Sequence, residues 1–366
     1  YGTHRDLNSY TTRRSSDLPR GETVHDHPVF TELLGEKFLA DLALNITAAR
    51  KFNSPNSLRF LEIQRKTPSI VFDWEKFIDR LVEKANEAGV SLKTNSEVTG
   101  FLEENHQVIG LQLANREKTL GHTVIVADGH QSQIGSQLGI PYNSYNCKMV
   151  KCLVSTCHGE YRGFEYFFLP TGVLDYAPRF PPSIVFIFPR ENDKCEIGLM
   201  VLNHAAEKLG DACVVPIDQE LLDVWHKIIA TYPKLHEILI GITTDLEYTT
   251  AIPTAGMYSS AMPIPGLILI GDSLGFVEAS GGSGISASLQ AAKFVANNLT
   301  KRSSSSWDVA EQAQFNSKFV QTQIYKHIQK VYRLILMVQR LVFVKWRTPS
   351  KINQKWWLIK ILYKLG

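Results

Sequence analysis

The chain has 366 residues, 44% hydrophobic and 20% charged. That balance suits a globular protein with a sizeable core, spread over two or three domains. No run of about 18 apolar residues occurs, which excludes an obvious membrane-spanning helix. The five cysteines (Cys147, Cys152, Cys157, Cys195 and Cys213) lack Cys-x-x-Cys spacing, which argues against a disulfide framework or zinc site and for a reduced, cytoplasmic setting.

The net charge of +3 is unevenly spread. Residues 321–366 hold ten Lys and Arg and no Asp or Glu, so the rest of the chain is acidic. The basic excess therefore concerns whatever the C-terminal segment meets.

In chain order, residues 1–30 are polar and punctuated by Pro19, Gly21 and Pro28, and a helical stretch follows near 30–43. Leu58 to Val71 alternates as a strand does, with Pro68 marking an edge or turn. From Asp73, apolar residues at Trp74, Phe77, Ile78, Leu81, Val82 and Ala85 have helical spacing, closed by Gly89. Strands are expected over 90–101 and 107–114, then a short apolar strand that ends in Asp128-Gly129. Residues 147–202 hold several strand-like runs separated by Pro- and Gly-rich turns, the pattern of an antiparallel layer. Residues 217–240 read as helix. Residues 267–270 read as a buried strand, followed by a Gly-rich turn and a helix from about Gly284 to Leu299. Ser303 to Ser306 form a joint before a basic helical tail.

The segment LILIGDSLGFVEASGGSGISASLQ (267–290) is the most informative. Gly271 and Asp272 end a strand, where open α/β sheets bind ligands. Gly281, Gly282 and Gly284, with Ser283 among them, let backbone approach a ligand, and Ile285 opens a helix with a positive N-terminal end. This arrangement resembles the second flavin motif of glutathione-reductase-type flavoproteins, within them the geranylgeranyl reductase and FixC-like group. Gly271, Asp272, Gly275, Gly282, Gly284 and Ile285 match; Ser273 and Leu274 replace two alanines. The resemblance implies FAD, with Asp272 at the ribityl chain and Gly281 to Ile285 facing the ring. NAD(P)H is a candidate electron donor.

Two further segments resemble that family. Ala127, Asp128, Gly129 and Ser132 match its Ala-Asp-Gly-x-x-Ser motif, which implies a place under the nucleotide. Gly135 stands where flavin monooxygenases carry Arg, which favours a reductase. VFIFPRENDKCEIGLMVL (185–202) resembles the substrate-domain signature through Phe186, Phe188, Pro189 and Gly198. Phe186 and Phe188 share one strand face and could line an apolar tunnel or simply pack in the core. By position, the backbone of Val98 would hold adenine. Trp74 replaces an Arg of the family's helix motif, and the opening Gly-x-Gly-x-x-Gly unit, roughly 40 residues on the usual size of such a unit, does not occur in the chain.

The resulting expectation is an α/β FAD/NAD(P)-binding Rossmann-like domain lacking its first βα unit (1–140 with 246–300). A mostly antiparallel substrate domain (141–245, α+β) and a C-terminal basic helical tail (301–366) complete it. The expected activity is hydride transfer between flavin and an apolar, isoprenoid or lipid-like substrate. The alternatives are a monooxygenase or halogenase, and a non-catalytic flavin-fold binding protein. The sequence names no proton donor; His158, His204 and Tyr258 are candidates by residue type alone. No metal site and no nucleic-acid partner are expected. Lys326, Lys330, Arg333, Arg340 and Arg347 fall on one helical stripe with Trp346, Trp356 and Trp357 downstream. That pattern fits either a helix on an anionic membrane surface, on its cytoplasmic side, or a helix packed on the core.

Overall fold

The alternation read from Leu58 to Val71 and the strand-like runs of residues 147–202 join in one continuous eight-stranded sheet. In the computed structural model, the described residues are 21–25, 27–130, 132–140, 145–154, 161–239, 244–253, 260–279, 284–302, 304, 306–359 and 361. The elements in chain order begin with β1 (Gly21–His25), α1 (Pro28–Leu34), β2 (Ala43–Asn53), β3 (Phe60–Asp73), α2 (Trp74–Glu87), β4 (Val98–Glu104), β5 (Gln107–Leu113) and β6 (Lys118–Leu120). They continue with β7 (Val124–Val126), α3 (Gln133–Gln137), β8 (Tyr145–Val154), β9 (Phe164–Leu169), β10 (Ser183–Pro189), β11 (Cys195–Leu202), α4 (Asn203–Leu209), α5 (Asp218–Thr231) and α6 (Pro233–Leu239). The chain then forms β12 (Thr244–Pro253), β13 (Leu267–Leu269), α7 (Ile285–Leu299), α8 (Val309–Gln321), α9 (Gln323–Gln339) and α10 (Pro349–Gln354).

The large sheet has the order β1-β3-β2-β9-β10-β11-β8-β12. Its pairs are antiparallel except β2 with β9. Hydrogen bonding therefore runs straight from residues 21–73 into residues 145–253, across the boundary expected near residue 140. β3 carries Pro68 where its pairing with β2 jumps: Thr47 faces Ser69 and Ala49 faces Gln64. A proline cannot donate to the ladder, and the strand bends there. The strand expected from residue 90 begins only at Val98. Thr94, Asn95 and Ser96 offer no apolar alternation, and Asn95 takes a φ of 54°.

Two helical layers cover the sheet. Val185 and Ile187 point to one face, where α5 and α6 bring Trp225, Ile228 and Leu235. Trp225 is fully buried, and its Nε1 donates to Cys152 Sγ at 3.0 Å. Ile184, Phe168 and Phe52 point to the other face, where Val342, Phe343, Trp346, Ile352 and Trp356 pack on them. The C-terminal segment is therefore largely a packing element. α9 passes into a π-helical turn at Arg340–Trp346, and Arg347 breaks it with a φ of 53°. The single stripe expected to include Arg347 ends at Arg340, and Trp346 and Trp356 are buried. Trp357 remains exposed.

The second core lies around β7 and β13, which pair in parallel with Leu267 facing Val124 and Leu269 facing Val126. Both strands are wholly apolar; β13 is buried throughout, as a strand covered on two faces is, whereas Ile125 of β7 is exposed. α7, α8 and α9 pack on them through Ala291, Phe315, Phe319 and Ile328. The small antiparallel sheet β4-β5-β6 joins this core through Val108.

Candidate functional site

Both strands of the parallel pair end in the residues singled out from the sequence. Ile270 N donates to Val126 O at 3.0 Å, so the turns after β7 and β13 leave the sheet side by side. Asp128-Gly129 follows one strand and Gly271-Asp272 the other. Gly271 has a φ of 61° and Gly275 a φ of 68°, the left-handed conformation that favours glycine, and they bracket a tight 3₁₀ turn. Ser273 Oγ, fully buried, lies 2.8 Å from Val126 O and 2.7 Å from Ile270 O, and ties the turn to both strands. The serine found in place of an alanine thus locks the two strand ends together.

The helix that follows approaches this turn very closely. A Cβ on Gly271 would lie 2.8 Å from Ser288 Oγ of α7, and a Cβ on Gly284 would lie 3.1 Å from Asp272 Oδ1. Gly284 is the N-cap of α7 and supplies no capping side chain. The first N–H groups of the helix, from Ile285 onward, have no intrahelical acceptor, and half-buried Asp272 lies close to the Gly284 end of the helix. Gly281, Gly282 and Ser283 lie outside the described residues.

On the neighbouring turn, Ser132 caps α3 by accepting from Gly135 N at 2.8 Å. Crowding by surrounding protein raises the Asp128 carboxyl above its ordinary value, opposed by hydrogen bonding with Ser132 and Gln133. The side chain still reaches solvent. Burial holds the adjacent His130 below the usual imidazole value. Val98 opens β4 opposite Leu113. β4 is fastened to α3 by Gln137 Nε2 donating to Thr99 O at 2.7 Å. Val98 therefore stands on the same side of the fold as the Asp128 turn.

These residues fit a flavin. Two parallel strand ends, glycines that let the turn and α7 come close together, an N-cap glycine without a capping side chain and a carboxylate suit a hydroxyl-rich, anionic group. Trp74, in the place of an expected Arg, packs on Phe72 and Phe77 with ring centroids 6.5 and 5.7 Å away.

The comparisons with known proteins agree. The model of the FAD-dependent oxidoreductases matches residues 66–298. The chain belongs to this family. It is 28% identical over 254 residues to digeranylgeranylglycerophospholipid reductase 1 of Methanococcoides burtonii, covering 67% of this chain and 56% of that protein. It is 26% identical over 241 residues to the digeranylgeranylglycerophospholipid reductase of Methanosarcina acetivorans, covering 64% and 54%. The chain spans about half the length of these curated relatives. Among solved structures, a geranylgeranyl bacteriochlorophyll reductase-like protein from Thermoplasma acidophilum shares the fold. Its TM-score is 0.65 at 16% identity, covering 94% of this chain and 88% of the other. A flavin-dependent brominase gives 0.60 at 11% identity over 92% and 81%. The fold is thus the mixed α/β, Rossmann-like one of FAD-dependent oxidoreductases, and FAD is the cofactor of this family.

Phe186 and Phe188 stand on the face of the large sheet opposite α5. Phe186 is buried against Gly198, whose Cβ would lie 2.4 Å from Phe186 Cζ. Phe188 is half-buried, 4.7 Å from the ring of Phe186 and stacked 4.3 Å from Phe164. On the same face, Lys151 Nζ lies 3.5 Å from Glu196 Oε2, and both are largely buried.

Residues that sequence reasoning missed continue this line. The guanidinium of Arg50, 3% exposed, lies 4.1 Å over Phe164 and donates to Ser69 Oγ. His25 Nδ1 lies 2.8 Å from Ser69 Oγ, and Arg65 Nη1 lies 3.2 Å from His25 Nε2. Arg65 can only donate, so the ring proton of His25 sits on Nδ1 and donates to Ser69. Burial first, then Arg65 and Arg50, lowers His25 to about 4. This network meets the flavin turn through packing: Ile285, the first residue of α7, lies against the cluster of Val24, Ile70 and Phe72. Nothing in the sequence singled out Arg50, whose burial follows from the pairing of β2 with β9.

Among the named donors, His204 stands on α4 beside Glu207, Lys208 and Arg340, with burial lowering it. His158 and Tyr258 lie outside the described residues.

Proposed function

We propose that this chain carries the flavin turn and the substrate wall of an FAD-dependent reductase acting on an isoprenoid lipid. The observation that supports it most is the line of aromatic rings Phe164, Phe188 and Phe186, which begins at Arg50, beside the sheet end packed on Ile285. A row of aromatic rings, linked to α7 only through Ser69 and the packing of Ile70 against Ile285, suits a prenyl chain. The relatives' names point to the same class of substrate.

In this reading Asp272 accepts hydrogen bonds from ribityl hydroxyls. The N–H groups that open α7 sit against the edge of the ring that gains negative charge on reduction. Bound FAD supplies the hydride chemistry. Phe186 and Phe188 exclude water from the reacting carbon. NAD(P)H is one source of electrons.

The test is anaerobic incubation of the chain with FAD, a reductant (NADPH or dithionite) and a geranylgeranylated lipid, read by mass spectrometry. The expected product gains one hydrogen molecule per reduced double bond. A hydroxylated or halogenated product under air would favour the monooxygenase and halogenase neighbours, whose fold this chain shares. A folded chain that binds prenyl lipid but no flavin would make it a binding protein.

A further inference from the structure

The basic face of α9 has no part in the site described above. Lys326, Lys330, Arg333 and Arg340 follow one another at helical steps of four, three and seven, and all are exposed. Met337, on the same stripe, is exposed too. The opposite side is held down by buried Ile328, Val331 and Gln339, with Gln339 Oε1 accepting from Ala205 N at 3.2 Å. The stripe is thus fixed toward solvent by packing on its back. Among the described residues, none of these four cations is paired with a carboxylate, and residues 321–366 contain no Asp or Glu.

A groove of about 400 Å³ runs along the start of the stripe, lined by Val320, Tyr325, Lys326, Gln329, Lys330 and Arg333. Its floor is aromatic and its rim cationic. Tyr325 stacks on Phe276 at 6.3 Å, and Phe276 directly follows Gly275 of the flavin turn. Further along, Trp357 is 63% exposed and Ile361 is exposed beside it, whereas Trp346 and Trp356 are buried. No helix among the described residues is long and apolar enough to cross a membrane.

We infer that α9 is a peripheral docking face for an anionic lipid bilayer, with Lys326, Lys330 and Arg333 on the headgroups and Trp357 at the interface. The cations supply attraction to phospholipid phosphates, and the exposed indole supplies an amphipathic ring suited to headgroup depth. This goes beyond the reductase reading and does not depend on it. If both hold, the docking face lies directly behind the flavin turn.

The test is co-sedimentation of the chain with vesicles of phosphatidylcholine alone or mixed with phosphatidylglycerol. Binding is expected only to the anionic vesicles, weakening as salt screens the charges. Reversing the stripe (K326E/K330E/R333E) should lower partitioning by roughly tenfold or more. Reversing Lys76 and Lys84 on α2 should not. A neutral triple, K326Q/K330Q/R333Q, covers the case in which the reversed variant fails to fold. Trp357→Ala should reduce the fraction bound at high salt. Equal binding to both vesicle types, or unchanged partitioning of the folded triple variants, would overturn the inference. So would an oligonucleotide that binds the stripe while anionic vesicles do not, which would make the face one for nucleic acid.

Discussion

Gly284 and Asp272 approach each other closely across the flavin turn: a methyl group on Gly284 would stand 3.1 Å from Asp272 Oδ1. The helix N-terminus and the carboxylate are thereby held as one unit. Asp272→Ala is expected to weaken FAD binding by roughly 10- to 100-fold, the loss of a charged hydrogen-bond acceptor. Gly284→Ala needs a displacement of only a few tenths of an ångström and should weaken it less. Titration by quenching of flavin fluorescence reads both. Unchanged affinity in Asp272→Ala would remove Asp272 from the site.

Gly198 makes the same kind of contact in the large sheet, and more severely. A Cβ there would lie 2.3 Å from Val150 O and 2.4 Å from Phe186 Cζ. The carbonyl belongs to the ladder between β11 and β8 and cannot swing away. Gly198→Ala should therefore destabilise the protein by about 1–3 kcal/mol, seen as a lower urea midpoint. It should also displace the Phe186 ring. A midpoint equal to that of the parent would mean that the sheet yields more easily than its packing implies.

His25 makes stability depend on pH in a defined window. The folded state holds it at about 4, against an ordinary value of 6.5. Between those values the unfolded chain binds a proton that the folded chain refuses, so stability falls as pH falls through the window. Above it both states are neutral, and the contribution is constant. The full loss is on the order of 3 kcal/mol. His25→Gln should flatten this limb of the stability profile relative to the parent, measured by denaturant melts at several pH values. Parallel profiles would show that His25 titrates normally.

The buried thiols offer a chemical check on the second layer of the fold. Cys147, Cys152, Cys195 and Cys213 are all buried. Burial, reinforced by Glu247, pushes the Cys152 thiol far above its ordinary value. Iodoacetamide should leave these four unmodified in the native protein and label them in urea, as read by peptide mass spectrometry. Trp225→Phe removes the indole donor to Cys152 and should cost about 1 kcal/mol. Native-state labelling of Cys152 would contradict the packing of α5 on the sheet.

Local chemistry was readable along the chain. The helix read from Asp73 begins there, and Asp73 caps it by accepting from Lys76 N. The apolar run 267–269, the glycines after it and the helix from Ile285 follow from short-range rules of backbone freedom and burial. The alternation of Ile184, Phe186 and Phe188 against Val185 and Ile187 set two faces of a strand before any partner was known.

Which partner each face meets was decided only in three dimensions. Periodicity states that a face is buried, but long-range hydrogen bonding and packing choose what buries it. β2 and β9 pair in parallel across more than a hundred residues of chain, and that pairing alone brings Arg50 over Phe164. His25 and Ser69, 44 residues apart, meet because β1 pairs with β3 in a register that sets them opposite each other. The C-terminal tryptophans look alike in sequence. Yet Trp346 and Trp356 fill the sheet's second face while Trp357 faces water, because the π turn and the break at Arg347 reset the helical phase that the sequence alone would have continued.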